Sequence, residues 1–418
     1  MRSLVCLAFL LPGCGHPART PPPLTQQAYV WQRDWTPEVS ASVQKANAHL
    51  DGLVLLSAQI RAFPSPHPQP STASAGHVSL DIRRPKLDWD ALRSFGKPVA
   101  LALRIDGQTL PPTQPVTELI RNLLQTATDH SVTVSHFQID YDCPEAALAV
   151  YRAWLRPVRS AVAPLPLRVT ALPAWLKRSD FVGLLTEVDG FVIQVHSVPT
   201  RLEREQAALF DPERAARWVK QTAQLGHPFS VALPTYTALV GFDPQGRYLG
   251  MALDGIQPSW PAGTRISEFG ADAEDLARFA KQLQTNRPAG LEGVFWYRLP
   301  VGSGQRNWRW PTFEAVLQGR VPTHRLEART NGAGLVDISL HNTGEAEERL
   351  QSSVCVRWQT GAPLAVEALP GWTTFQSGHE IRFTRTALPL PRLLPGGQRA
   401  IGWIRFPNNT PLHVEIPH

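Results

Sequence analysis

The sequence has few cysteines and no long hydrophobic or basic run. Its 418 residues include four cysteines, and its net charge of +6 comes from dispersed residues. Nucleic-acid binding needs a concentrated basic patch, so no such partner is expected. The sequence also lacks HExxH, a close His/Cys pairing, a G-x-S-x-G elbow and a complete glycine-rich dinucleotide turn. We therefore expect no metal site, no serine nucleophile and no cofactor.

The abundance of hydrophobic residues, proline and tryptophan is typical of a globular, loop-rich protein. Hydrophobic residues make up 43% of the chain and charged residues 18%, with 39 prolines and 13 tryptophans. These proportions exclude a disordered chain. The length allows one large domain and a smaller one.

The N-terminus carries an export pattern. Arg2 precedes a short apolar run, Leu4 to Leu11, which is well under the roughly 20 residues that a membrane-spanning helix needs. The run ends in Leu11-Pro12-Gly13-Cys14, which resembles a bacterial lipobox. This resemblance implies a signal peptide over 1–14, a lipid on Cys14, a Pro-rich tether over 15–27 and a periplasmic location at the outer membrane. Plain export, or an accidental match, is the alternative.

The other cysteines are expected to be structural. Cys6 leaves with the signal, which leaves Cys143 and Cys355 in the mature chain. We predict that they are two buried thiols in different domains, although a disulfide between them stays open.

Residues 28–320 alternate between strand-like and helix-like segments. This pattern predicts an α/β fold, a (β/α)8 TIM barrel, with a doubly wound open sheet as the competitor. Two insertions, 62–76 and 239–268, are expected to shape its active face. The predicted strands are Tyr29–Trp35, Gly52–Ile60, Val99–Gly107, Val134–Asp142, Leu167–Leu172, Gly190–Val198, Phe229–Tyr236 and Gly293–Leu299.

From residue 321 to 418 the pattern changes to short alternating runs. Gly, Pro and Asn turns separate them, which predicts a small β-sandwich. The clearest runs are Leu335–His341, Val354–Gln359, Glu380–Arg385 and Ala400–Phe406.

The fourth predicted strand, VSHFQIDYD, is the most informative segment. Alternation places Asp140 and Asp142 on the face opposite Phe137, Ile139 and Tyr141. In a barrel, inward residues at the C-terminal end of a strand reach the active-site mouth. Two carboxylates there repel each other, which raises one pKa and equips that group as a proton donor to a glycosidic oxygen. The alternative is a buried ionic network with Arg104 or Arg298.

The same reasoning on the other strands predicts the remaining lining of the site. Polar or aromatic side chains recur near the C-terminal strand ends, as a polar pocket above a packed barrel requires. Trp296 is either a floor on which a sugar ring stacks or a core residue. The predicted lining residues are Gln59, Arg104, Asp106, Gln194, His196, Tyr236, Trp296 and Arg298.

Three segments resemble a bacterial family known as domain of unknown function 3142. They are YVWQRDW, FQIDYDCPEAALAVYRAWLRPVR and LRVTALPAWL. The chain is also distantly similar to family 18 glycoside hydrolases, whose fourth strand ends D-x-x-D-x-D-x-E. Asp140 and Asp142 match the second and third aspartates. Phe137 replaces the first, and Pro144 stands where the proton-donating glutamate would be.

Two functions follow as hypotheses. In the first, an envelope lipoprotein hydrolyses a polysaccharide, with Asp142 as proton donor and Asp140 as its partner. In the second, the barrel binds a glycan or assists envelope assembly without catalysis. The aligned carboxylates favour the first hypothesis, and the missing glutamate favours the second.

Overall fold

Eight parallel strands close into a barrel in the computed structural model, which describes residues 23–64, 78–199, 208–253, 259–302, 304–350, 353–386 and 392–417. The barrel strands, in order around it, are β1 (Thr25–Val30), β2 (Gly52–Pro64), β4 (Val99–Asp106), β5 (Val134–Tyr141), β6 (Leu167–Ala171), β7 (Gly190–Gln194), β8 (Phe229–Pro234) and β12 (Leu291–Tyr297). β12 pairs with β1, and β1 with β2, so the sheet has no open ends. The predicted TIM barrel is therefore confirmed, and the doubly wound sheet is excluded.

Helices cover the outside of the barrel. Aspartate side chains start three of them by accepting backbone hydrogen bonds: Asp88 from Ala91, Asp211 from Arg214, and Asp272 from the first turn of its helix. The helices are α1 (Pro37–Ala46), α2 (Trp89–Phe95), α3 (Thr113–Asp129), α4 (Leu148–Val162), α5 (Ser179–Leu184), α6 (Pro212–Ala223), α7 (Ala273–Thr285) and α8 (Trp310–Leu317).

Two strand insertions stand above the barrel. β3 (Val78–Arg83) pairs antiparallel with the end of β2 and forms a ribbon with it. β9 (Thr237–Phe242), β10 (Tyr248–Ala252) and β11 (Arg265–Gly270) form a separate antiparallel sheet. A turn at 243–246 joins β9 to β10, where Asp243 accepts backbone hydrogen bonds. Most of the expected first insertion lies outside the described residues.

The C-terminal strands form two facing sheets. One sheet has the order β13 (Leu326–Asn331), β14 (Leu335–Asn342), β21 (Gln398–Arg405), β17 (Ala365–Ala368). The other has β18 (Trp372–Ser377), β19 (Glu380–Arg385), β16 (Val354–Trp358), β22 (Leu412–Glu415). β15 (Glu348–Arg349) pairs with β20 (Arg392–Leu393) at the side. Apolar residues from both sheets make one core, as expected for a β-sandwich.

The structure bears on several predictions about the N-terminal segment and the cysteines. The tether was expected to reach residue 27, but β1 begins at Thr25 because that stretch pairs with β12. Cys143 and Cys355 are buried and free, which confirms two thiols. The signal peptide and Cys14 lie outside the described residues. Within those residues, no helix is both long and apolar enough to cross a bilayer.

Candidate functional site

The fourth barrel strand, β5, points its carboxylates into the mouth of the barrel. Phe137, Ile139 and Tyr141 belong to the outer core between strands and helices. Strand alternation therefore turns Gln138 and Asp140 inward. The predicted assignment of faces on this strand agrees with the structure.

Arg104 on β4 binds both carboxylates. Its Nη1 lies 2.9 Å from Oδ2 of Asp140, and its Nη2 lies 2.6 Å from Oδ2 of Asp142. Thr170 on β6 donates a second hydrogen bond to Asp140, at 2.6 Å. The ionic network that the sequence left open as an alternative is therefore present, with Arg104 as its centre.

The network continues away from β5 towards β2. Nε of Arg104 lies 3.3 Å from Asp106, which also accepts a hydrogen bond from Gln59. Arg33, just after β1, donates to Gln59 at 2.9 Å. A β-bulge at Ser57 shifts the alternation of β2, which is how Gln59 comes to face the mouth. The mouth thus has one continuous polar wall.

Burial and charge act in opposite directions on the network. Burial raises the pKa of Asp140 above its ordinary value, although Arg104 opposes the rise. Burial acts to lower the pKa of Arg104, but Asp140 and Asp142 outweigh it and the net shift is upward. Asp142 itself is 47% exposed. The carboxylate at the surface is therefore held by a permanently charged guanidinium.

Aromatic rings form the opposite wall. Trp31 after β1 lies 5.7 Å from Tyr297 at the end of β12, and His196 stacks on Tyr297 at 6.2 Å. All three are half-buried, so part of each ring faces the mouth. Tyr236 and Tyr29 pack behind Tyr297 and are buried. Burial raises the pKa of Tyr297 to about 12, with Arg298 opposing the rise and Asp140 adding to it.

Trp296 is not at the mouth, contrary to expectation. It is fully buried in the outer core against Trp308 and Phe313, and its Nε1 donates to Gln26. Tyr297, the next residue, faces inward instead. The continuous apolar run of β12 offers no alternation that would fix its register from sequence.

The remaining expected residues lie beside the aromatic wall. His196 packs on Tyr236 and contacts the Ala232 carbonyl, and burial lowers its pKa to about 4, so the ring is neutral at pH 7. Gln194 pairs in register with Ala232 and is half-buried on β7. Arg298 is buried, and its charge acts on Tyr236 and Tyr297. The sequence reasoning missed Trp31, Arg33, Thr170 and Tyr297.

The barrel is polar below the mouth as well. Gln138 donates a 2.8 Å hydrogen bond across the lumen to the hydroxyl of Tyr29. His136 lies one layer lower, and burial lowers its pKa to about 3, with Arg168 adding to the effect. Arg168 is paired with Glu292 at 2.7 Å. These groups fix the floor and are too deep to meet a large ligand.

The arrangement suits recognition of a polar, ring-shaped ligand. One wall supplies charged donors and acceptors in fixed positions, and the other supplies aromatic faces. In the described parts of the chain, no three His, Cys, Asp or Glu side chains are grouped so as to hold a metal ion.

Two family models match parts of the chain. Residues 325–407 match the family described as domain of unknown function 8456. No curated protein matches the chain. Among solved structures, the spore cortex-lytic enzyme SleL of Bacillus cereus is similar at 13% identity, with a TM-score of 0.47, over 71% of this chain and 74% of that chain.

Two chitinases of Chromobacterium violaceum are also similar. One has 14% identity and a TM-score of 0.47, covering 71% of this chain and 98% of its own. The other, described as a family GH18 chitinase, has 12% identity and a TM-score of 0.43, covering 94% and 90%. A family 18 enzyme is therefore among the similar solved structures, as the sequence resemblance led us to expect. The model of the family described as domain of unknown function 3142 matches residues 95–302, in agreement with the resemblance found in the sequence.

Proposed function

We propose that the barrel binds a glycan at its mouth without cleaving it. The observation that carries the proposal is the position of Arg104, which holds Asp140 and Asp142 together. The proposal keeps the carbohydrate ligand expected from the sequence. It prefers the binding hypothesis to hydrolysis.

A glycosidase needs a carboxylic acid that keeps its proton at working pH and can reach the leaving oxygen. Asp142 is within reach, but its Oδ2 already accepts a hydrogen bond from Arg104 at 2.6 Å. Asp140 has a raised pKa, but its side chain is only 9% exposed and both of its oxygens already accept hydrogen bonds. Pro144 stands at the last position of the motif, where the proton-donating glutamate would be. Neither carboxylate is therefore both accessible and free of the ion pair with Arg104.

Binding of a glycan requires only aromatic rings and hydrogen-bonding groups, and the site contains both. A sugar ring has apolar C–H faces and a polar rim, so it fits between aromatic rings and charged hydrogen-bonding groups. Trp31 and Tyr297 supply the rings, and Arg33, Gln59 and Asp142 supply exposed or half-exposed polar groups. The ion pairs within the wall fix these groups in advance, which lowers the entropy cost of binding.

Hydrolysis is the second candidate function. The raised pKa of Asp140 beside the half-exposed Asp142 is the observation in its favour. Two neighbouring carboxyl groups in different environments are the arrangement that acid–base chemistry uses. A ligand that displaced Arg104 would release Asp142 for such a role.

We also propose that Cys14 is lipidated and anchors the protein at the periplasmic face of the outer membrane. The support is the segment from Arg2 to Cys14 and the tether that follows. The described chain begins at the N-terminal ends of the barrel strands, where the Leu24 amide donates to Gln284 of α7. An anchor reaching this end would leave the mouth directed away from the membrane.

The test of binding uses soluble protein that starts after Cys14. Retention on immobilised peptidoglycan, chitin and acidic exopolysaccharides is measured together with release of reducing ends. We expect the wild-type protein to bind one class of glycan, Asp142→Asn to bind it more weakly, and neither to release reducing ends. Hydrolysis that disappears in Asp142→Asn would establish the second candidate. Absence of both retention and hydrolysis would overturn both.

The anchor is tested separately in the full chain. We expect labelled fatty acid to be incorporated into the wild-type protein and the protein to sediment with outer membranes. Cys14→Ser should lose both properties, and Cys6→Ser is the matched control. A Cys14→Ser protein that still sediments with membranes and carries label would contradict the proposal.

A further inference from the structure

The ribbon of β2 and β3 has two chemically distinct faces. Ile60 and Ala62 are buried on one face; Ile60 belongs to the outer core, and Leu80, the strand partner of Ala62, packs against that core. The other face carries Gln59, which belongs to the polar wall of the mouth. Because alternate residues share a face, the side of the ribbon next to the mouth continues from Gln59 along β2.

On this second face, the strand register aligns side chains of neighbouring strands in rows, and the first row lies in the mouth. Gln59 pairs with Arg104 on one side and with Arg83 of β3 on the other. In the next row, Arg61 pairs with Asp106 on one side and with Asp81 on the other. Residues paired across strands share a face, so the polar wall extends without a break onto the ribbon.

The ribbon face has free hydrogen-bonding capacity. Arg61 is 63% exposed, and its contact with Asp106 is long, at 4.0 Å. Arg83 is 68% exposed, and it pairs with Asp81 of its own strand, which is itself 43% exposed. Exposed pairs of this kind contribute little to stability. The two guanidinium groups are therefore available to an incoming acceptor at little cost to the fold.

An aromatic side chain follows the charged rows. Phe63 occupies the next outward position on β2, opposite Ser79, and is 40% exposed. A surface phenylalanine between polar neighbours gains little from folding, whereas its ring face can stack on an apolar surface of a ligand. The rise of a strand places it about 13 Å from Gln59, so it cannot serve the same sugar unit.

We infer that the ribbon is a second subsite for the glycan chain, a continuation of the one in the mouth. The inference rests on the proposed binding function. A sugar ring stacks on Phe63, and the oxygen atoms of neighbouring units accept hydrogen bonds from Arg61 and Arg83. The ligand class is thus a polysaccharide several units long, and its affinity should grow with chain length.

The test compares the retained polysaccharide with its disaccharide fragment by calorimetry or by affinity electrophoresis. Phe63→Ala should weaken binding of the polymer about five-fold and leave the disaccharide unaffected. Arg61→Gln should act in the same direction. Phe375→Ala, an exposed phenylalanine on β18 of the C-terminal domain, is the matched control and should change neither affinity. Equal thermal unfolding of the variants excludes a folding defect.

Two failures are distinguishable. Wild-type binding of polymer and disaccharide with equal affinity, or full polymer affinity in Phe63→Ala, would overturn the ribbon subsite and leave the mouth as the binding site. Absence of binding of either ligand to the wild-type protein would overturn the proposed function, and the subsite with it.

Discussion

Arg104 donates a hydrogen bond of 2.9 Å from Nη1 to Oδ2 of Asp140, whose side chain is only 9% exposed. A buried ion pair contributes little net stability, but removal of one partner leaves a charge that water cannot reach. Arg104→Met should therefore lower the free energy of unfolding by about 3–5 kcal/mol, measured in urea. Adding Asp140→Asn to Arg104→Met should recover part of this loss.

The matched control is Arg329→Met on β13. Arg329 lies 2.8 Å from Glu327, but the two side chains are 52% and 30% exposed, far more than Asp140. This change should cost less than about 1 kcal/mol. Similar losses in the two variants would show that burial does not determine the energy of the Arg104 pair.

The hydrogen bond between Gln138 and Tyr29 connects opposite sides of the barrel at a buried position. Tyr29→Phe leaves the Gln138 amide without this acceptor and should cost about 1–3 kcal/mol. Gln138→Leu should also destabilise the protein, because it leaves the Tyr29 hydroxyl without its hydrogen-bond partner. The double variant should lose less than the sum of the two, measured as a double-mutant cycle in urea. Additive losses would rule out a direct coupling between the two side chains.

The fold could be predicted because the sequence shows the hydrophobic periodicity of its strands and helices clearly. Seven of the eight barrel strands begin within about two residues of their predicted starts, as expected for clear apolar runs. β1 was the exception. Its first residues, Thr25 to Gln27, pair with β12 across the barrel closure, and no local pattern reports that contact.

The site was only partly accessible. The faces of β5 follow from alternation, and they placed Asp140 and Asp142 correctly. The choice between an acid–base pair and an ion pair depends on the distance to Arg104, which lies on another strand. Tyr297 was missed for a different reason: Val294 to Tyr297 are all apolar or aromatic, so neighbouring strands alone decide which of them faces inward.

Closure of the barrel depends on Gly293. A Cβ at this position would lie 2.1 Å from Oγ1 and 2.7 Å from the backbone oxygen of Thr25, so the two strands would have to separate. We expect Gly293→Ala to destabilise by about 1–3 kcal/mol, as overpacking typically does. Gly302→Ala is the control, because its Cβ meets nothing within 4 Å. Thermal unfolding measures both, and an equal shift in the two would contradict a steric cause.

The buried His136 should make stability depend on pH. Burial lowers its pKa to about 3, with the charge of Arg168 adding to the effect, whereas an unfolded histidine titrates near 6.5. Between these values the unfolded chain binds a proton that the native protein does not. The contribution of neutral His136 to the free energy of unfolding is therefore complete above about pH 6.5. It falls by up to about 1.4 kcal/mol per pH unit as the pH drops towards 3.

His136→Gln removes the titrating group and should flatten this part of the curve, measured as the free energy of urea unfolding between pH 7 and pH 4. The difference between wild type and variant isolates His136, because the other groups, including His196, titrate in both proteins. His413→Gln, at a position whose side chain is 71% exposed, is the matched control for the same substitution at the surface. Parallel curves for wild type and His136→Gln would mean that the native barrel accepts the proton on His136, and that its floor is more accessible to water than its packing implies.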